Sequence, residues 1–89
     1  MVKVTPKSVI FTLESDADKL WIQGSWNDWQ PEAMKRERRT GRFRKIKRLK
    51  PGRYEFGYLT GEGAWLIDET LPTVPSPFGS RNSLLELQP

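Results

Sequence analysis

The amino-acid sequence predicts an all-β domain, an antiparallel β-sandwich of about seven short strands. Three observations lead there. Apolar and polar residues alternate over short runs, and no stretch carries a convincing helical period. Turn signals return about every ten residues. The chain has 89 residues, enough for one domain spanning 1–89, with no linker, internal repeat or low-complexity tract.

The strands follow in order. Over Ser8–Glu14, Val9, Phe11 and Leu13 share one face and Ile10 takes the other, as in a half-buried strand. The polar run Glu14–Asp18 turns the chain. Lys19–Gly24 places Leu20 and Ile22 on one face and Trp21 on the other. Gly24–Pro31 is a turn-rich loop carrying Trp26 and Trp29. Ala33–Arg38 reads as a short basic strand, and Thr40-Gly41 as its turn. Arg42–Leu49 alternates poorly, because Ile46 is out of phase with Phe43 and Leu49. A bulge between them would bring all three inside. After Lys50-Pro51-Gly52, Arg53–Thr60 is the clearest strand, with Tyr54, Phe56 and Tyr58 on one face. Gly61-Glu62-Gly63 closes a hairpin into Ala64–Asp68. A loop over Glu69–Gly79 holds Pro72, Pro75 and Pro77. Ser83–Leu87 closes the domain, with Leu85 and Leu87 in phase.

Composition excludes much chemistry. Neither cysteine nor histidine is present, which removes disulfides, thiolate sites, the commonest metal ligand and every Ser-His or Cys-His nucleophile. A domain of this size buries only about 60–65% of its unfolded surface, too thin a core for a deep catalytic cleft. The acids Asp28, Glu62, Asp68 and Glu69 lie in loops or hairpins beside polar neighbours. They read as solvated or structural groups, not as a paired acid and base. No catalytic residue, metal site or cofactor is expected. No apolar run nears the roughly 18 residues of a membrane span. Met1–Lys7 lacks the apolar stretch of a leader, and the expected location is cytoplasmic, without a membrane partner.

The net charge of +4 conceals an asymmetry. Lys35, Arg36, Arg38, Arg39, Arg42, Arg44, Lys45, Lys47, Arg48, Lys50 and Arg53 crowd one stretch, with Glu37 its only acid, while the rest of the chain is net acidic. Such a run reads either as solvated edge strands that resist aggregation or as a polyanion-binding face. Nucleic acid is the less favoured partner, because Trp29 and Trp65 lie outside the basic run and no aromatic RNA-binding strand is present.

The tryptophans divide by surroundings. Trp21 stays open between packing and binding. Trp29 sits among Asn27, Asp28, Gln30 and Pro31, and Trp65 directly follows a glycine turn. Neither setting asks for a large apolar side chain, so both are candidates for ligand contact.

Five motifs fall in a familiar order: Gly24-Ser25-Trp26-Asn27-Asp28-Trp29, Gly41-Arg42-Phe43, Leu49–Phe56 with Gly52 and Tyr54, Gly63-Ala64-Trp65-Leu66-Ile67-Asp68, and Phe78-Gly79-Ser80-Arg81-Asn82-Ser83. Together they resemble the α-glucan-binding modules of carbohydrate-binding family 48. That family includes the glycogen-binding domains of AMP-activated kinase β subunits and the N-terminal domains of isoamylases and branching enzymes. The resemblance runs from about Val9 to Leu87 and implies an immunoglobulin-like sandwich that binds glycogen, starch or maltooligosaccharides without catalysis. It places Trp26 in the core and Asp68 in a structural position. It makes Trp29 and Trp65 the sugar-stacking residues, Phe78 an apolar rest for the curved glucan, and Ser80 and Asn82 hydroxyl partners. An indole covers the C–H face of a glucose ring and sheds its water, and neutral hydroxyls and amides can both donate to and accept from the sugar rim. The kinase-type modules carry a lysine where Gly57 stands here. Its loss removes a donor and implies a more open floor, with Arg53 or Arg81 as candidate replacements. Some relatives lie against a catalytic domain, which makes docking to an enzyme or kinase a further reading.

Overall fold

Ten strands and one 3-10 turn make up the regular structure of the computed structural model, which describes residues 1–89. The strands are β1 (Val2–Val4), β2 (Val9–Leu13), β3 (Leu20–Gly24), β4 (Glu32–Ala33), β5 (Lys35–Arg36), β6 (Phe43–Lys47), β7 (Gly52–Thr60), β8 (Trp65–Leu66), β9 (Thr73–Pro75) and β10 (Arg81–Leu87). They form two antiparallel sheets, one ordered β1-β2-β6-β5 and the other β4-β3-β7-β10-β9. β8 pairs with the far half of β7, Tyr58 facing Leu66 and Leu59 facing Trp65. β10 takes the near half, from Ser83 opposite Phe56 to Leu87 opposite Gly52. No helix is long and apolar enough to cross a membrane.

The alternation read along the chain governs which face is buried. Val9, Phe11, Leu20, Ile22, Phe43, Phe56, Tyr58, Leu85 and Leu87 meet between the sheets, with Met34 beside them. Phe56 stacks edge-on against Phe11 at 5.1 Å and against Tyr58 at 5.7 Å between centroids. Each buried side chain of this size contributes about 1.5–3 kcal/mol by leaving water. Burial, and then the negative charge of Asp68, push the Tyr58 phenol well up, so it stays neutral.

Three expectations change. Strands were expected over about seven segments, and there are ten. β1 is too short to announce itself by alternation, and β9 lies inside the proline-rich loop, where Pro75 occupies its last position. The single basic strand expected over Ala33–Arg38 is two. β4 pairs with β3 and β5 with β6, because the chain changes sheets at buried Met34. The bulge expected in β6 does not occur. Its register against β2 runs unbroken from Leu13–Phe43 to Val9–Lys47, and Ile46 points outward at 49% exposure. Lys47 takes the inward phase instead, its Nζ 2.7 Å from the Glu32 carboxylate and 5.5 Å from the Trp26 ring.

Candidate functional site

One groove, about 610 Å³ in volume, lies over the outer face of the sheet that contains β3, β7 and β10. Trp29, Trp65, Phe78, Ser80 and Asn82 all line it, together with Gln23, Glu55, Pro75, Ser76 and Pro77. Four separate stretches of chain thus converge there.

Trp29 comes from the turn after β3. Asp28 and Trp29 both adopt left-handed backbone, with φ of 59° and 64°. That conformation costs a bulky residue about 1–3 kcal/mol and persists only where neighbours enforce it. Here they do. The Trp29 N–H bonds to the Gly24 carbonyl at 2.9 Å, and Gln23 Nε2 donates to the Trp29 carbonyl at 2.8 Å. Asn27 brackets the turn, its Oδ1 accepting from Gln30 N–H at 3.1 Å. Trp26, three residues earlier, turns the other way. Its ring lies 5.4 Å from Phe11 and 5.9 Å from Phe56, sealing the core as expected. It presses so close to Gly24 that a Cβ there would come within 2.5 Å of the ring.

Trp65 starts β8 and lies back across β7. Its indole sits against Gly57, where an added Cβ would be 2.1 Å from Cζ2. Nε1–H donates to the Arg81 carbonyl at 2.9 Å, which ties the ring to β10. The floor at Gly57 is therefore not more open, as expected from the missing lysine; the indole fills it. Neither proposed replacement cation serves. Arg81 spends its guanidinium on the Thr73 hydroxyl at 2.8 Å and the Thr73 carbonyl at 3.1 Å, and neither Arg81 nor Arg53 lines the groove.

The wall opposite is the β9–β10 loop. Gly79 is left-handed at φ 86°, and the loop closes through Ser76 N–H to the Ser80 carbonyl at 2.8 Å and Phe78 N–H to Ser76 Oγ at 3.2 Å. Phe78 at its tip is 93% exposed. Ser80 lies on the exposed rim, whereas Asn82 is buried in the floor. Asn82 Nδ2 donates to Glu55 Oε1 at 3.2 Å, leaving its carbonyl oxygen for another partner.

Beneath Trp65, the chain is latched by Asp68 and Ser83, both buried. Asp68 N–H donates to Ser83 Oγ at 2.7 Å. Its carboxylate takes the Thr70 hydroxyl at 2.6 Å and N–H at 2.9 Å, and the Met1 ammonium at 2.8 Å. Burial pushes this carboxyl up, but the ammonium and the Thr70 bonds outweigh it and hold it below the ordinary carboxylate range. Asp68 is thus structural.

Sequence reasoning missed Gln23 and Glu55. Both lie on strand faces opposite the core, Gln23 in phase with Trp21 and Glu55 in phase with Gly57, so outward phase beside Gly57 was the available signal. Trp21, left open, is half-buried between Ala33 and Leu59 on the same outer face and does not line the groove. No cluster of three or more metal-ligating side chains exists.

A family model described as the glycogen recognition site of AMP-activated protein kinase matches residues 7–89. No curated protein matches the chain.

Proposed function

Because the chain belongs to the family of the glycogen recognition site of AMP-activated protein kinase, we propose that it is a non-catalytic module that binds α-glucan in the groove between Trp29, Trp65 and Phe78. The observation that carries this reading is the exposure of Phe78, 93%, directly facing a groove already lined by two tryptophans. None of the three belongs to the core. Phe78 touches water, Trp29 is held in backbone that disfavours it, and Trp65 is spread over a glycine on the sheet's outer face. Flat rings set around an open groove suit the C–H faces of glucose units. Gln23, Glu55, Ser76, Ser80 and Asn82 give the hydroxyls partners, without which their desolvation would cancel the gain.

Affinity is expected on the order of micromolar to millimolar, since a sugar that stays partly solvated is anchored by few groups. The test is a calorimetric titration with maltoheptaose. The double substitution Trp29→Ala/Trp65→Ala is expected to abolish binding, because each ring contributes about 1.5–3 kcal/mol of buried apolar surface. Unchanged binding in the double variant, or none in the wild type, would overturn the assignment.

A further inference from the structure

The cations that the tryptophan groove leaves aside define a second concavity. β6 outruns its partner. Lys35 faces Arg44 and Arg36 faces Phe43, and no strand pairs with β6 beyond them on that side. The cause is the chain path. Met34 N–H bonds to the Leu20 carbonyl of the other sheet at 2.9 Å, so the segment before β5 leaves the β6 edge uncovered. Glu37 N–H bonds to the Arg42 carbonyl at 2.8 Å. In an antiparallel ladder alternate residues turn their backbone to the same side, so Arg42, Arg44 and Ile46 face this edge. Ile46 therefore points an N–H and a C=O at the opening.

The resulting notch encloses about 880 Å³ and is lined by Lys35, Arg38, Arg39, Arg44, Lys45 and Ile46, among others. None of these cations is ion-paired. The only pairs in the molecule are Lys47 with Glu32 and the terminal ammonium with Asp68. The one acid of the lining, Glu37, is engaged at the turn with the Thr40 hydroxyl, at 3.5 Å. Arg36 also lines the notch, held by the Ser15 and Ala17 carbonyls and lying over the Phe43 ring, and other cations of the run go elsewhere. Lys47 lies over Trp26, and Arg48 and Lys50 lie beside Pro6 and Lys7 at another part of the surface.

We propose that this notch docks an acidic segment of another protein, added to β6 as an extended strand. An uncovered strand edge offers hydrogen bonds that match a polypeptide backbone. The unpaired cations select carboxylates, and exposed Ile46 receives an apolar side chain of the incoming strand. A second copy of this chain is disfavoured, since it would bring the same cations to the same edge. A nucleic acid is disfavoured because no aromatic side chain lines the notch for base stacking. This proposal does not depend on the α-glucan reading. The groove lies on the outer face of the other sheet, and both can be occupied at once.

The test titrates the full chain with a fluorescent peptide alternating glutamate and valine, at low salt, with amide exchange followed by NMR. Binding is expected at micromolar order, with the Ile46 amide exchanging at least about tenfold more slowly in the complex. Arg44→Glu/Lys45→Glu is expected to weaken binding about tenfold. Since that change falls within β6, Arg38→Glu/Arg39→Glu in the exposed turn provides a second variant that spares the strand. No binding at low salt, binding without protection of Ile46, or tighter binding of duplex DNA or a heparin fragment than of the peptide overturns the proposal.

Discussion

The tryptophan groove and the basic notch are built in opposite ways from the sequence. The groove gathers residues from positions 23 to 82, drawn from four separate stretches of chain. The notch draws on the densest charged run in the chain, yet keeps only part of it. Contact follows strand register, not sequence proximity. In the groove, side chains are already held in place: Gln23 by Trp29, Asn82 by Glu55, Trp65 by Arg81. In the notch, no cation side chain but that of Arg36 is bonded to another group. The first arrangement is pre-organised for a neutral ligand that must be matched in shape. The second is an electrostatic surface that orders itself around its partner.

The largest effect that would break this comparison is at Gly57. Restoring the lysine of the kinase-type modules adds a donor and, judged by the resemblance, strengthens sugar binding. The structure argues the reverse. A side chain at 57 collides with the indole at 2.1 Å, so Trp65 must leave the sheet and lose its bond to Arg81. Gly57→Lys is expected to weaken maltoheptaose binding about a hundredfold, the loss of about one stacked ring. It is expected to leave peptide binding at the notch unchanged. The Trp65 indole N–H resonance should shift in the same variant. Tighter glucan binding would mean that Trp65 is not fixed on Gly57.

The same contact marks where sequence legibility stopped. The inward phases of Phe11, Ile22, Phe56 and Tyr58 were readable because period-two alternation directly encodes a half-buried strand. The core place of Trp26 and the convergence of Trp29, Trp65, Phe78, Ser80 and Asn82 followed from ordered motifs. The fit of Trp65 on Gly57 was not readable, since it depends on a diagonal neighbour across the β7–β8 pair, which only the register reveals. Ile46 misled for a related reason. An apolar residue out of phase suggested a bulge, whereas the register keeps it outward at an uncovered edge. β5 and β9 were obscured because two- and three-residue strands carry too little pattern to stand out from loops.

Salt sharpens the contrast next. Peptide binding at the notch should fall about tenfold from 50 to 500 mM salt, as exposed charges are screened within about one Debye length. Maltoheptaose binding should change less than about twofold over that range, because stacking and neutral hydrogen bonds carry no net charge pairing. Parallel calorimetric titrations decide it; equal salt slopes would erase the distinction.

A smaller effect is expected from the support of Trp29. Gln23→Ala removes the 2.8 Å bond to the Trp29 carbonyl and releases a left-handed residue that only its neighbours enforce. The loss is about 1 kcal/mol, or about fivefold in maltoheptaose affinity. Melting temperature should barely move, since Gln23 lies outside the core. A large drop in stability instead would make Gln23 a packing residue.

The smallest effect separates the two regions by pH. Asp68 holds the segment that follows Trp65, and its carboxyl titrates below the ordinary range. A carboxyl lowered by folding contributes stability that is present above the unfolded value and lost as pH falls through the folded one. In a chain that starts at Met1, acidification should therefore loosen the segment from β8 to Thr70 before it touches β6. Amide exchange around Trp65 and Leu66 should quicken as pH falls through the carboxylate range, after correction for intrinsic rates, while that of Phe43–Lys47 follows the intrinsic change alone. Asp68→Asn should bring the looser state to neutral pH and flatten the dependence, with melting a few degrees lower. Identical acid response in β6 and β8 would show that the latch serves the whole sandwich and not the tryptophan groove above it.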